Sequence, residues 1–172
     1  LIENCSAYAT DDNKGGGIYI TTLSDISIDS CTIQLNQGGS GGIYIDGLSN
    51  INLSASNLVA QSSSGIYFKQ SSGIIENCMI SGNEIGISTY ESNVNITRTN
   101  CSYNASTNLT ISGALSTINI DNSLFATSKD FNIFMLGAKL NIYQSTLYGG
   151  SLYITPDIID TVNIINSIIR ST

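Results

Sequence analysis

The chain repeats itself from end to end, and this periodicity constrains its fold more than any motif it carries. An anchor Cys or Ser flanked by apolar positions recurs at Cys5, Cys31, Ser56, Cys78, Cys101, Ser123, Ser145 and Ser167, with successive spacings of 26, 25, 22, 23, 22, 22 and 22 residues. Ahead of the anchor runs an alternating aliphatic pair: Ile26/Ile28, Ile51/Leu53, Val94/Ile96, Ile118/Ile120, Leu140/Ile142 and Val162/Ile164. Behind it stands one apolar residue, Ile33, Leu58, Ile80, Tyr103, Phe125, Leu147 or Ile169. A second alternating triplet follows, as in Ile18-Tyr19-Ile20, Ile43-Tyr44-Ile45, Ile66-Tyr67-Phe68, Leu109-Thr110-Ile111, Ile133-Phe134-Met135 and Leu152-Tyr153-Ile154.

Each repeat therefore holds three short runs of period two, separated by clusters of Gly, Asn, Asp and Ser, which read as three strands and three turns. Nothing in it has the 3.6 period of a helix. The leucine-rich repeat, the main competitor, needs a helical segment and a Leu-x-x-Leu-x-Leu frame, and neither is present. A unit this small cannot bury its apolar faces alone and must stack on its neighbours to form a continuous core. The expected fold is an all-β parallel β-helix solenoid, about seven coils of three short strands, forming a single segment over residues 1–172. At an inter-strand spacing of about 4.8 Å, the seven intervals make a rod roughly 34 Å long.

Polar columns accompany the apolar ones. Asn4, Ser30, Asn77, Asn100, Asn122, Gln144 and Asn166 precede the anchor, where the chain turns a corner through a left-handed residue and where stacked amides can bond along the rod. A second column, Ser27, Asn52, Asn95, Asn119, Asn141 and Asn163, lies between inward aliphatics and is expected to face out. The adjacent Ile74 and Ile75, and an extra residue before Cys101, predict a bulge in the fourth and fifth coils.

At this level the residues carry a family resemblance. Cys31-Thr32-Ile33-Gln34-Leu35-Asn36 followed by Gly41-Gly42-Ile43-Tyr44, Cys78-Met79-Ile80-Ser81-Gly82-Asn83 followed by Gly86-Ile87, and Gly15-Gly16-Gly17-Ile18-Tyr19 resemble the polymorphic outer-membrane adhesin repeat. That repeat pairs a Phe-x-x-Asn segment with a Gly-Gly-Ala-Ile segment; here Ile or Leu replaces the Phe. The resemblance implies a right-handed β-helix of the pectate-lyase-like superfamily, used at a cell surface for adhesion. Right-handedness also follows the general bias of parallel crossovers.

Composition narrows the function. Six Lys+Arg against thirteen Asp+Glu give 6 − 13 = −7 and a pI near 4.1, which opposes nucleic-acid binding through phosphate contacts. With no His, mechanisms that need an imidazole base or a histidine ligand are excluded. No apolar run reaches membrane-spanning length, and the first residues lack the pattern of a signal peptide. Neither end carries a polar cap, so the segment is expected to be excised from a longer rod, with flanking parts of its own chain as neighbours.

Polysaccharide cleavage on the superfamily's outer sheet would need clustered carboxylates. The one column offering them runs Glu3, Asp29, Ser54, Glu76 and Asp121, and an exposed acidic stripe is the expected reading. Asp11-Asp12-Asn13 sits in a Gly-rich stretch and reads as a solvated turn rather than a Ca²⁺ loop. No cofactor and no resident metal are expected. The outward positions of the second triplet, Tyr19, Tyr44, Tyr67, Thr110, Phe134 and Tyr153, form one vertical stripe. Such a stripe is either a face on which sugar rings stack or an aromatic ladder that stiffens the sheet. Cys5 beside Cys31 and Cys78 beside Cys101 are either two disulfides or buried thiols occupying the Ser position. Of the Asn-x-Ser/Thr sequons, the pair at Asn104 and Asn108 is the candidate for glycosylation.

The expected function is an extracellular or cell-surface structural and adhesive module. It is non-catalytic, binds glycan or protein along the aromatic stripe or associates side by side with another rod, and neither binds nucleic acid nor inserts in a membrane. The alternative is a segment of a polysaccharide lyase or glycoside hydrolase whose catalytic residues lie elsewhere.

Overall fold

The computed structural model describes residues 2–3, 16–37, 40–155 and 160–170. Among these residues every regular element is a strand, and every strand pair is parallel. The chain winds right-handed through three sheets, one of eight strands and two of seven. The first sheet stacks the segments that follow the anchor, Thr32–Gln34, Asn57–Val59, Met79–Ser81, Asn100–Ser102, Leu124–Ala126, Thr146–Tyr148 and Ile168–Arg170, with Ile2–Glu3 at its edge. The second stacks the triplets from Ile18–Ile20 to Ser151–Thr155, and the third the aliphatic pairs from Asp25–Asp29 to Thr161–Ile165.

Alternation sends every second side chain into the lumen. There Ile33, Leu58, Ile80, Phe125 and Leu147 meet Ile45, Phe68, Ile111 and Met135 from the second sheet, and Leu53, Ile96, Ile120 and Ile142 from the third; each is at most 1% exposed. The polar column of the third sheet is in the predicted register, Ser27↔Asn52, Asn95↔Asn119 and Asn119↔Asn141, and points away from the lumen, although Asn141 is covered by its neighbours and only 6% exposed.

The corners explain the polar columns. At most corners the left-handed residue is followed by a polar one that ties coil to coil, as in Ala55–Ser56, Gln70–Ser71, Arg98–Thr99 and Tyr103–Asn104. Between the third and first sheets the left-handed residues are Ser30, Ala55, Asn77, Arg98, Asn122, Gln144 and Asn166. Where Ser or Thr follows, its hydroxyl accepts the N–H of the anchor one coil earlier and donates to the carbonyl two residues back. Thus Ser123 N–H reaches Ser145 Oγ at 3.1 Å and Ser123 Oγ reaches Asp121 O at 2.8 Å. Cys78 fits the same scheme, its N–H on Thr99 Oγ1 and its Sγ–H on Glu76 O at 3.2 Å. The thiol therefore replaces a hydroxyl donor in the anchor column.

This geometry corrects three expectations. The anchor of the fifth coil is Thr99, because Thr99 bonds Cys78 before it and Ser123 after it. Cys101 lies two residues on, opposite Ile80 and Phe125. The predicted bulge in coils four and five is absent: Ile74 faces out opposite Asn52, and Gly73 takes the inward place opposite Ile51. A Cβ at Gly73 would lie 2.6 Å from the Phe68 ring, so the larger Phe68 fills the lumen that Gly73 vacates. The register shift occurs instead at Phe131/Ile133, opposite Ser151 and Leu152.

The amide ladder is also relocated. It runs along the outward column, with Asn163 Nδ2 donating to Asn141 Oδ1, Asn141 to Asn119 and Asn119 to Asn95 at 2.7, 2.7 and 2.8 Å. A second, buried ladder occupies the corner between the first and second sheets, where Asn36 N–H donates to Gln61 Oε1, Gln61 N–H to Asn83 Oδ1 and Asn83 N–H to Asn104 Oδ1.

Candidate functional site

The stripe on the second sheet is the feature nearest to a site, and its register is as expected: Tyr19↔Tyr44, Tyr44↔Tyr67, Tyr67↔Ser88, Ser88↔Thr110, Thr110↔Phe134 and Phe134↔Tyr153. It is not one open platform. Tyr44 is only 4% exposed, its ring lying 5.3 Å from Tyr19 and 5.4 Å, edge-on, from Tyr67. Its hydroxyl donates to Asp46 Oδ2 at 3.1 Å, and Lys69 Nζ lies 3.4 Å from the same oxygen. Burial and then the Asp46 carboxylate hold the Tyr44 phenol well above its ordinary pKa; burial raises that of Tyr67 as well. The outer residue at this end is Tyr19, at 42%.

At the other end Phe134 and Tyr153 stack with planes 7° apart and centroids at 5.3 Å, and Phe131 packs on both at 5.7 and 5.3 Å. Tyr153 is 45% exposed. Phe131 was missed because it stands ahead of the alternating triplet, though its two-residue offset from Ile133 was the available signal. Half-buried Ser88 and Thr110 join the two aromatic clusters. The arrangement offers apolar ring edges at both ends of one face with hydroxyls between, suited to stacking and hydrogen bonding and not to proton transfer.

The remaining expectations are placed as follows. Glu3 pairs with Gln34 in the first sheet, so it does not stand beside Asp29 and the acidic column loses its only adjacent carboxylate pair. Asp29 instead accepts from Ser54 Oγ at 2.6 Å and Ser30 Oγ at 2.9 Å, which lowers its pKa. Glu76 is paired with Arg98, whose Nε also donates to Asn77 Oδ1 at 3.0 Å. Cys31, Cys78 and Cys101 are free thiols. Cys78 and Cys101 cannot be stacked partners because their columns differ, and burial pushes both thiols up in pKa. Cys5, Asp11, Asp12 and Asn13 lie outside the described residues.

Asn104 and Asn108 are corrected as glycan acceptors. They are 2% and 0% exposed, Asn108 lies in the strand Thr107–Ser112 and not in a turn, and both amide nitrogens are spent inside the corner. Asn104 Nδ2 donates to Asn108 Oδ1 at 2.7 Å and Asn108 Nδ2 to Asn132 Oδ1 at 2.8 Å. Among the described residues no group of three or more Cys, Asp or Glu is placed to hold a metal.

Residues 1–125 match the family model described as the right handed beta helix region. No curated protein matches the chain. Among solved structures, trypsin-treated QnrB1, a plasmid-mediated fluoroquinolone resistance protein, is similar at 14% identity and a TM-score of 0.28, over 87% of this chain and 83% of that one.

Proposed function

Starting from a chain that belongs to the right-handed β-helix family, we propose that it is a non-catalytic recognition module of an extracellular or cell-surface protein. It binds glycan or protein along the outer face of its second sheet. The observation that carries this reading is the pair of in-register aromatic clusters, with Tyr19 and Tyr153 open at the two ends. Its non-catalytic character is supported by four carboxylates that serve as structural acceptors: Asp29 for Ser54, Asp46 for Tyr44 and Lys69, Glu76 for Arg98, and Asp130 for Ser106.

The test is a Tyr19→Ala/Tyr153→Ala double variant on arrays of glycans and ectodomain proteins, beside a reducing-sugar assay on plant and bacterial polysaccharides. We expect a binding profile that the double variant loses while its circular dichroism is unchanged. Cleavage of a polysaccharide by residues 1–172 would overturn the non-catalytic reading, and an array profile indifferent to both tyrosines would overturn the face.

A further inference from the structure

The corner between the second and third sheets is uneven along the rod, and its unevenness builds a groove. Two coils turn through paired left-handed residues, Thr22–Leu23 at φ 65° and 52° and Gly47–Leu48 at 69° and 60°. The next two turn on a single one, Gln70 or Glu91, at 46° and 48°. The fifth coil is lengthened again after Gly113, and Ser116 N–H closes that turn on Gly113 O at 2.9 Å. Leu23 and Leu48 therefore stand as a ridge on one side, Leu115 as a wall on the other, and Gln70 and Glu91 as a sunken floor.

The groove between Leu48 and Leu115 is open to solvent along its length and has a volume of about 430 Å³, within the size range of pockets that hold ligands. All three leucines are 73% exposed. Leu23 and Leu48 are also held in a backbone region that favours Gly or Asn, a combination of strain and exposure that packing does not explain.

The floor is polar and pre-positioned. Glu91 accepts from Gln70 Nε2 at 2.9 Å, and its Cγ lies over Gly113, where a Cβ would come within 2.6 Å. Ser71, Ser72 and Asn93 complete the lining, which includes no Lys or Arg. The Lys69–Asp46 ion pair borders the groove, Lys69 preceding Gln70 and Asp46 standing two residues before Leu48, with its cation engaged by Asp46; Arg98–Glu76 lies at the corner between the third and first sheets. Glu91 is thus a carboxylate fixed from two sides between apolar walls, on a chain of net charge −7, a setting that attracts cationic partners and repels acidic ones.

We propose that this groove binds an extended peptide segment that presents Arg or Lys between two apolar residues, each two positions away. The spacing fits: Leu48 and Leu115 are three coils apart, about 14 Å, and residues i and i+4 of an extended chain, which share a face with i+2, are also about 14 Å apart. The apolar residues lie against the leucines and the cationic head reaches Glu91. The groove lies on the corner that follows the second sheet, beside the aromatic stripe, but none of its lining residues belongs to the stripe.

The experiment is an amide chemical-shift titration of the whole chain with the peptide Leu-Ser-Arg-Ser-Leu, both ends blocked. Saturable shifts are expected at Gln70, Glu91 and Leu115, with the Leu-Ser-Glu-Ser-Leu peptide at least about tenfold weaker. Glu91→Gln, isosteric and still able to accept from Gln70, should weaken the Arg peptide by about tenfold. Leu115→Ser should weaken both peptides. Equal binding of the two peptides to the wild-type chain would overturn the proposal without any variant. So would shifts at these amides produced equally by a neutral hexasaccharide, or none at all up to about 1 mM peptide.

Discussion

Tyr19 and Tyr44 occupy neighbouring rungs of one column, yet one is open and the other is enclosed between two rings and an acid. Their truncations should separate accordingly. Tyr44→Ala removes a buried ring and leaves Asp46 without its phenol partner, so it should cost roughly 3 kcal/mol in urea unfolding, whereas Tyr19→Ala should cost less than about 1 kcal/mol. Equal losses would show that Tyr44 is not enclosed. The cysteines divide in the same way. In a Cys5→Ser background, Cys31, which is half-buried, should react with a thiol reagent in the folded protein, while Cys78 and Cys101 should react only in denaturant. A disulfide reading follows naturally from even numbers and neighbouring coils. For Cys78 and Cys101 it fails because Cys101 stands two residues past the anchor column, opposite Ile80 and Phe125, while Cys78 takes the place of a Ser or Thr and donates to the carbonyl two residues back.

At the scale of strands and corners, register decides what a residue is worth. Ile120 and Asn119 are adjacent in the strand Thr117–Asp121, one sealed in the lumen and the other in the outward amide ladder. Ile120→Asp buries an unpaired charge against apolar neighbours and should cost several kcal/mol or abolish folding. Asn119→Asp loses one amide donor and keeps the acceptor for Asn141, and should cost about 1 kcal/mol. Thermal melts that shift equally would mean the faces are reversed. The corner ladder of Asn36, Gln61, Asn83 and Asn104 was available in the sequence, since each stands five residues after Cys31, Ser56, Cys78 and Thr99. Cys101 hides it, because the Cys/Ser spacing points to Cys101 as the anchor of its coil even though Arg98 stands three positions earlier, where an aliphatic residue belongs.

Over the whole molecule, each coil rests on the next, so stability is a sum of coil-to-coil interfaces and responds to conditions through the groups they bury. Cys78, Cys101 and Tyr44 have folded-state pKa values above their ordinary ones, the first two by burial and Tyr44 by burial and Asp46. The unfolded chain ionises at these groups while the folded chain does not. Their contribution is therefore complete below the ordinary thiol pKa of about 8.5 and is lost as pH rises. Each buried thiol should lower stability with rising pH between its ordinary pKa and its raised folded-state one, by at most about 1.4 kcal/mol per pH unit, and Tyr44 should join above about pH 10. At the acid end the sign reverses: Asp29, lowered by Ser54 and then Ser30, loses its contribution as pH falls below the ordinary carboxylate range. Urea midpoints that stay flat between about pH 8 and 10.5 would contradict the burial of both thiols.

The sequence by itself determined the solenoid, because a period of 22 to 26 residues containing three runs of period two leaves stacked coils as the one way to bury the apolar positions. It also determined which aliphatics face the lumen and which polar column faces water, since alternation leaves no other choice once a strand is placed. Only the tertiary structure decided which residues stack upon which. Pairing between coils is set by hydrogen bonds across about 22 residues of chain, and a shift of two residues preserves the alternation while moving every partner. That freedom is why Cys101 looked like a neighbour of Cys78, while a slip of five residues, into another sheet, separates Glu3, which pairs with Gln34, from Asp29. Corner lengths were equally beyond local reading, because a ridge such as Leu48 or a wall such as Leu115 exists only relative to the shorter corners between them.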